Sequence, residues 1–155
     1  MSVAFRRDCD EEHLEPRFEL PIPPGPNLVT PTGLAQIEAR VTALEDAVAT
    51  STEEPRLAEA KRDLRYWRTR LATAQIAPAP RHGEVGFGSR VRFRMKGALH
   101  TMDIVGDDEA DPANGRIAFS APLARALIGA SAGDLADFAR QPDAIEILEV
   151  TRSTA

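Results

Sequence analysis

The sequence is poor in cysteine. Cys9 stands alone among 155 residues, which excludes an internal disulfide and a thiolate metal cage. Its acidic neighbours Asp8, Asp10, Glu11 and Glu12 raise a thiol pKa rather than lower it, so a reactive thiol is not expected. Long apolar runs are missing too: none approaches the roughly 18 residues that cross a bilayer. Arg6, Arg7, Asp8 and Asp10 interrupt the N-terminus before the apolar core of a secretion signal can form. The expectation is a cytoplasmic protein with no membrane partner. His13, His82 and His100 are the only histidines, and none lies at helical spacing from another or from the cysteine, so no metal site is expected. There is no GxxxxGKS/T or GxGxxG loop and no local Ser-His-Asp or Cys-His motif. The reading is therefore no catalytic residue and no cofactor. A net charge of −5 argues against tight non-specific binding to nucleic acid.

What is present is the composition of a folded domain, 43% hydrophobic and 28% charged, with its periodicity changing along the chain. Residues 1–29 read as a proline-rich, flexible tail, with Pro16, Pro21, Pro23, Pro24 and Pro26 breaking regular structure. The alternation of Phe18, Leu20 and Ile22 allows a short strand there. Residues 30–76 read as a helical hairpin. Thr30 before Pro31 is an N-cap followed by proline at the first helical position. Leu34, Ile37, Val41, Leu44 and Val48 then recur with a heptad period. Thr50, Ser51 and Thr52 make a polar turn, with Thr52 the expected cap of a second helix. That helix carries Leu57, Leu64 and Leu71 beside Ala60, Trp67 and Ala74. Two seams joined by so short a turn pack antiparallel, in an arm about 30 Å long. Trp67 is expected in the hairpin core and Tyr66 partly exposed. Acids gather near the turn (Glu45, Asp46, Glu53, Glu54, Glu59) and bases on the stem (Lys61, Arg62, Arg65, Arg68, Arg70).

Residues 77–88 read as a linker, with Pro78 and Pro80, and with Gly86 and Gly88 as a joint. From 89 to 151 the period falls to two. Val91, Phe93 and Met95 alternate with Arg90, Arg92 and Arg94. Lys96-Gly97 turns the chain into a strand over 99–105. A polar loop over 106–115 follows, then a short strand over 117–119. A helix over 122–128 is expected to be capped by Ser120 and ended by Gly129, and a final strand runs over 144–150. The acids of the loop, Asp107, Asp108, Glu109 and Asp111, do not follow the ligand pattern of a calcium loop. The fold class is α+β: an antiparallel coiled-coil hairpin followed by an antiparallel sheet domain with one short helix.

The stretch GDDEADPANGRI over 106–117, followed by SAPLARALIG over 120–129 and then Gly133-Asp134, resembles the C-terminal domain of the GreA/GreB transcription factors. Thr30 to Leu34 and Ala74-Gln75-Ile76 are similar to the ends of that family's hairpin, so the resemblance covers about 28–150. It implies an FKBP-like second domain that docks on RNA polymerase, at the coiled-coil rim of the secondary channel, with Asp111, Ser120, Pro122 and Leu123 near the contact. It also implies indirect contact with nucleic acid in the elongation complex. The family's acidic tip segment has no counterpart here. Glu53 and Glu54 stand at the turn of a shorter arm, as in the regulators of nucleoside diphosphate kinase, which share the FKBP-like part. Three functions follow from the resemblance. The first is a polymerase-binding regulator of elongation that is not itself an enzyme. The second is a transcript-cleavage factor whose tip acids help hold a metal ion in the polymerase active centre. The third is an FKBP-like prolyl isomerase, for which the aromatic lining looks too sparse.

Overall fold

The computed structural model describes residues 19–154; Cys9, His13, Phe18 and most of the tail lie outside the described residues. Helix α1 (Pro31–Thr50) begins where local chemistry places it. Thr30 is extended, with φ −82 and ψ 163, and its Oγ1 accepts a hydrogen bond from the Gly33 amide at 3.0 Å. Helix α2 (Glu54–Thr73) is capped by Glu53, not Thr52, and no side chain closes the cap. With Thr52 as cap, Pro55 would fall at the third helical position, whose amide a cap hydroxyl bonds, and proline has no amide hydrogen.

The helices pack antiparallel over Ile37, Val41 and Leu64, all buried. Two helices can cover only one stripe of each other, so Leu34, Leu44 and Leu57 stay half-buried. Trp67 is likewise only partly covered. Its ring meets Tyr66 edge-on at 5.2 Å, and the Arg40 guanidinium lies 5.7 Å from its centre, a cation–π contact. The open end of the hairpin is clasped by strand β1 (Leu28–Val29), which pairs in parallel with β2 (Gln75–Ile76). Asn27 Nδ2 donates to the Arg70 carbonyl at 2.7 Å and to Thr73 Oγ1 at 3.2 Å. The segment before it, read as loose tail, contacts the hairpin as far out as Glu19, which accepts from Arg65.

The second part is a five-stranded sheet, ordered from one edge to the other as β5 (Arg116–Ala118), β4 (Ala98–Val105), β3 (Ser89–Met95), β7 (Gln141–Arg152) and β6 (Leu135–Phe138). Strands β3 (Ser89–Met95) and β4 (Ala98–Val105) form a hairpin through Lys96 and Gly97, with φ 51 and 74. This is the left-handed pair that matches the twist of a two-residue turn. Strand β7 (Gln141–Arg152) lies antiparallel to β3, with a bulge at Arg92/Phe93. Strand β6 (Leu135–Phe138) adds an edge that the sequence pattern did not reveal. The sheet is antiparallel except at one pair. Strand β5 (Arg116–Ala118) runs parallel to the last three residues of β4, because the 106–115 connection carries the chain back to Asp103 before β5 enters.

Alternation divides the two faces as expected. Val91 and Phe93 point into a core with Ile104, Ile145 and Ile147, closed by Ala124 and Leu127 of helix α3 (Pro122–Leu127). On the other face Arg90, Arg92 and Arg94 pair with Asp103, Glu149 and Glu146 at 2.7, 3.9 and 3.1 Å. Among the described residues no helix is long and apolar enough to cross a membrane.

Candidate functional site

Asp107, Asp108 and Glu109 leave β4 in a single 3-10 turn, and each carboxylate serves a different part of the molecule. Asp107 accepts a hydrogen bond from Ser120 Oγ, which ties the loop to the approach of α3. Asp108 accepts from Tyr66 Oη and from Arg70 Nε, both at 2.5 Å. Glu109 accepts from the Thr30 hydroxyl, from the Thr30 amide at 3.1 Å and from the Gly106 amide at 3.2 Å. The acidic loop is thus the joint between hairpin and sheet. Each of these three acids accepts its hydrogen bonds from protein donors.

Two glycines make that approach possible. A Cβ on Gly33 would lie 2.1 Å from Glu109 Cδ, and one on Gly106 would lie 2.5 Å from the Leu28 carbonyl oxygen. Burial is the main electrostatic feature of the joint. Arg70 and Asp108 side chains are 2% and 8% exposed, where an ion pair is little screened by solvent. Burial, and then the hydrogen bond and negative charge of Asp108, push the Tyr66 hydroxyl well above its ordinary range.

The expected contact residues fall in two places. Ser120, Pro122 and Leu123 come together at the start of α3. Pro122 is exposed and Leu123 is half-buried against the core. Ser120 does not cap α3. Ala121 occupies the cap position without a side-chain bond, because the Ser120 hydroxyl is turned to Asp107. Asp111 lies at the other end of β5, about 10 Å of strand away. It is held by Asn114 Nδ2 at 2.6 Å and by Arg116 at 3.5 Å. The Asn114 hydrogen bond, outweighing slight desolvation and helped by the Arg116 charge, keeps the Asp111 carboxyl below the usual range. Gly115 takes the positive φ of this turn, at 73, while Asn114 serves Asp111.

Glu53 and Glu54 stand exposed at the far end of the hairpin, about 30 Å from its base. Glu53 pairs with Arg56 at 3.3 Å. The basic stem is partly neutralised: Arg65 pairs with Glu19, Arg68 with Glu45, and Arg62 with Asp63. Sequence reasoning did not find the joint formed by Thr30, Tyr66, Arg70, Asp108 and Glu109. Only the cap at Thr30 had a local signal.

Comparison with known proteins shows the family of the chain. The family described as "Transcription elongation factor, GreA/GreB, C-term" matches residues 80–152. The transcription elongation factor GreA of Psychrobacter sp. (strain PRwf-1) is 35% identical over 135 residues, covering 68% of this chain and 84% of that protein. The GreA of Methylococcus capsulatus is 43% identical over 72 residues, 43% of this chain and 46% of that protein. The chain spans about half the length of several curated relatives that it matches. Among solved structures, the GreA factor homolog 1 (Gfh1) of Thermus thermophilus aligns over 82% of this chain and 99% of that one, at 18% identity and a TM-score of 0.39. The chain belongs to the GreA/GreB family of transcription elongation factors.

Proposed function

We propose that this protein docks on RNA polymerase, at the rim of the secondary channel, through the α3 side of its sheet domain, and regulates transcription elongation without being an enzyme itself. One observation supports the reading above the others. Within the matched segment, Asp107 fixes Ser120 and so presents Pro122 and Leu123 on a surface already formed. A preformed surface avoids the ordering penalty that a loose one incurs on binding. In this reading Asp111 shapes the neighbouring turn through Asn114 and Arg116. The hairpin then points its tip into the channel, and any contact with nucleic acid is made indirectly, within the elongation complex.

A cleavage-stimulating role is the second reading, and the exposed Glu53 and Glu54 favour it. Carboxylates suit a hard divalent ion. The tip is no cage by itself, since Glu53 already faces Arg56. Among the described residues no cluster of three or more His, Cys, Asp or Glu is arranged to hold a metal. In this role the ion belongs to the polymerase active centre and the tip adds ligands to it. The prolyl isomerase reading finds less support, because Phe93 is sealed in the core and Phe87 packs edge-on against Phe119 at 5.6 Å.

The test is polymerase binding, together with RNA cleavage in backtracked elongation complexes. It uses the wild-type chain, Pro122→Glu and Glu53→Ala/Glu54→Ala. Binding that Pro122→Glu abolishes, with no cleavage, is the expected result. Cleavage that disappears in the double tip variant would favour the second reading. Absence of binding by the wild-type chain would sink both.

A further inference from the structure

Nine of the fourteen arginines among the described residues lie within 4.0 Å of a carboxylate, and Arg40 covers Trp67. The other four have no such partner among the described residues, Arg81, Arg125, Arg140 and Arg152, and two of these, Arg81 and Arg152, line one cavity of about 380 Å³. The cavity lies where the linker from the hairpin crosses the end of β7. His82 joins them on its wall, Ser89 and Thr151 add hydroxyl-bearing residues, and Glu84 is its one acid. A turn positions the linker side of the wall: the Glu84 amide donates to the Arg81 carbonyl at 3.1 Å, and Gly83 takes φ +79.

In a chain of net charge −5, two arginines without a carboxylate partner and a histidine lining one concavity are a local reversal of sign. Guanidinium presents parallel N–H donors in a fixed fork that fits a phosphate's oxygens. The volume is at the small end of ligand pockets, which suits a compact anion. We propose that this cavity binds a small phosphate-bearing ligand, a phosphate monoester held by Arg81, His82 and Arg152. The site lies on the linker and β7 end, apart from α3 and the hairpin tip, and does not depend on the docking reading.

Amide NMR spectra of the full chain, titrated with inorganic phosphate and with glycerol 3-phosphate, test it against sodium chloride at matched ionic strength. Saturable shifts confined to residues 80–84, 89 and 150–152 are expected with both phosphate probes and not with chloride. Arg81→Ala and Arg152→Ala should each weaken binding about tenfold, the loss of one charged hydrogen bond. Glu84→Gln should tighten it, a change of opposite sign that damage to the fold does not produce. The proposal is overturned if chloride reproduces the shifts, if neither arginine variant weakens binding, or if Glu84→Gln weakens it. A single-stranded oligonucleotide that shifts the same amides at lower concentration than the monoester would also overturn it, in favour of a polymer ligand.

Discussion

Each end of the hairpin carries an arginine paired with a carboxylate, and the two pairs are built for different purposes. At the tip, Arg56 and Glu53 stand 3.3 Å apart with 79% and 67% of their side chains exposed. At the base, Arg70 and Asp108 stand 2.5 Å apart with 2% and 8% exposed. The tip pair joins the cap of α2 to its own first turn in water, where such contacts contribute about 0–1 kcal/mol. The base pair joins side chains 38 residues apart and fastens the hairpin to the sheet. Its net contribution is modest, because desolvation offsets attraction and Arg70 Nη2 has no hydrogen-bond partner. Breaking it is another matter, since a lone charge would then remain buried. The comparison teaches that burial, more than the kind of residue, decides whether an ion pair is a surface detail or a joint.

The strongest way to break that contrast is Asp108→Ala. It should lower unfolding stability by about 3–5 kcal/mol in urea at neutral pH, and a loss below about 1 kcal/mol would put base and tip in one class. The apolar double variant Arg70→Met/Asp108→Leu should recover most of the loss. Gly33→Ala comes next. Its methyl group would occupy the space of the Glu109 carboxylate and pull it from Thr30, at about 2 kcal/mol. An unchanged Thr30 amide resonance would contradict this.

Tyr66→Phe should cost about 1.5 kcal/mol, the bond its hydroxyl gives to Asp108. Tyr66 is the only tyrosine, so ultraviolet absorbance of tyrosinate reads it alone. Burial and Asp108 raise its pKa in the folded protein. The unfolded chain therefore releases this proton first, near pH 10. The stability that Tyr66 contributes is complete below that pH and is lost as pH rises above it. In wild type, tyrosinate should appear only together with alkaline unfolding, and ionisation of the folded protein near pH 10 would refute the buried contact. Smallest of all, Glu53→Ala should change stability by less than about 0.5 kcal/mol, with the same urea midpoint as wild type.

The features legible in the sequence are those whose causes are local. Thr30 caps α1 because hydroxyl and amide are three residues apart. The β3–β4 hairpin is readable because alternation and a Lys-Gly turn are written into adjacent positions. Strand β6 escaped notice because Leu135, Ala136 and Phe138 do not alternate cleanly and follow the turn residues Gly133 and Asp134. It is a strand because β7 lies beside it. The parallel entry of β5 was hidden for a similar reason, being set by the path of the 106–115 loop.

The least legible part was the joint. Glu109 meets Thr30 across 79 residues and Tyr66 meets Asp108 across 42. No window short enough to read by pattern contains both partners. The motif that marked the family was visible throughout, while the work of its acids inside the molecule was not. Ser120 shows the same thing on a smaller scale. Its position before a helix suggested a cap, and a distant carboxylate claimed the hydroxyl instead.

The clasp of β1 on β2, with Asn27 bonded to the end of α2, leaves the hairpin without free ends. It is a closed ring, with the 51–53 turn opposite the clasp. A ring fastened on one side frays from the other, so amide hydrogens should exchange with solvent soonest near residues 48–56 and latest near the clasp. The tip is then the place where the arm can be lengthened or shortened, by matched turns on both helices, while the joint below keeps its geometry.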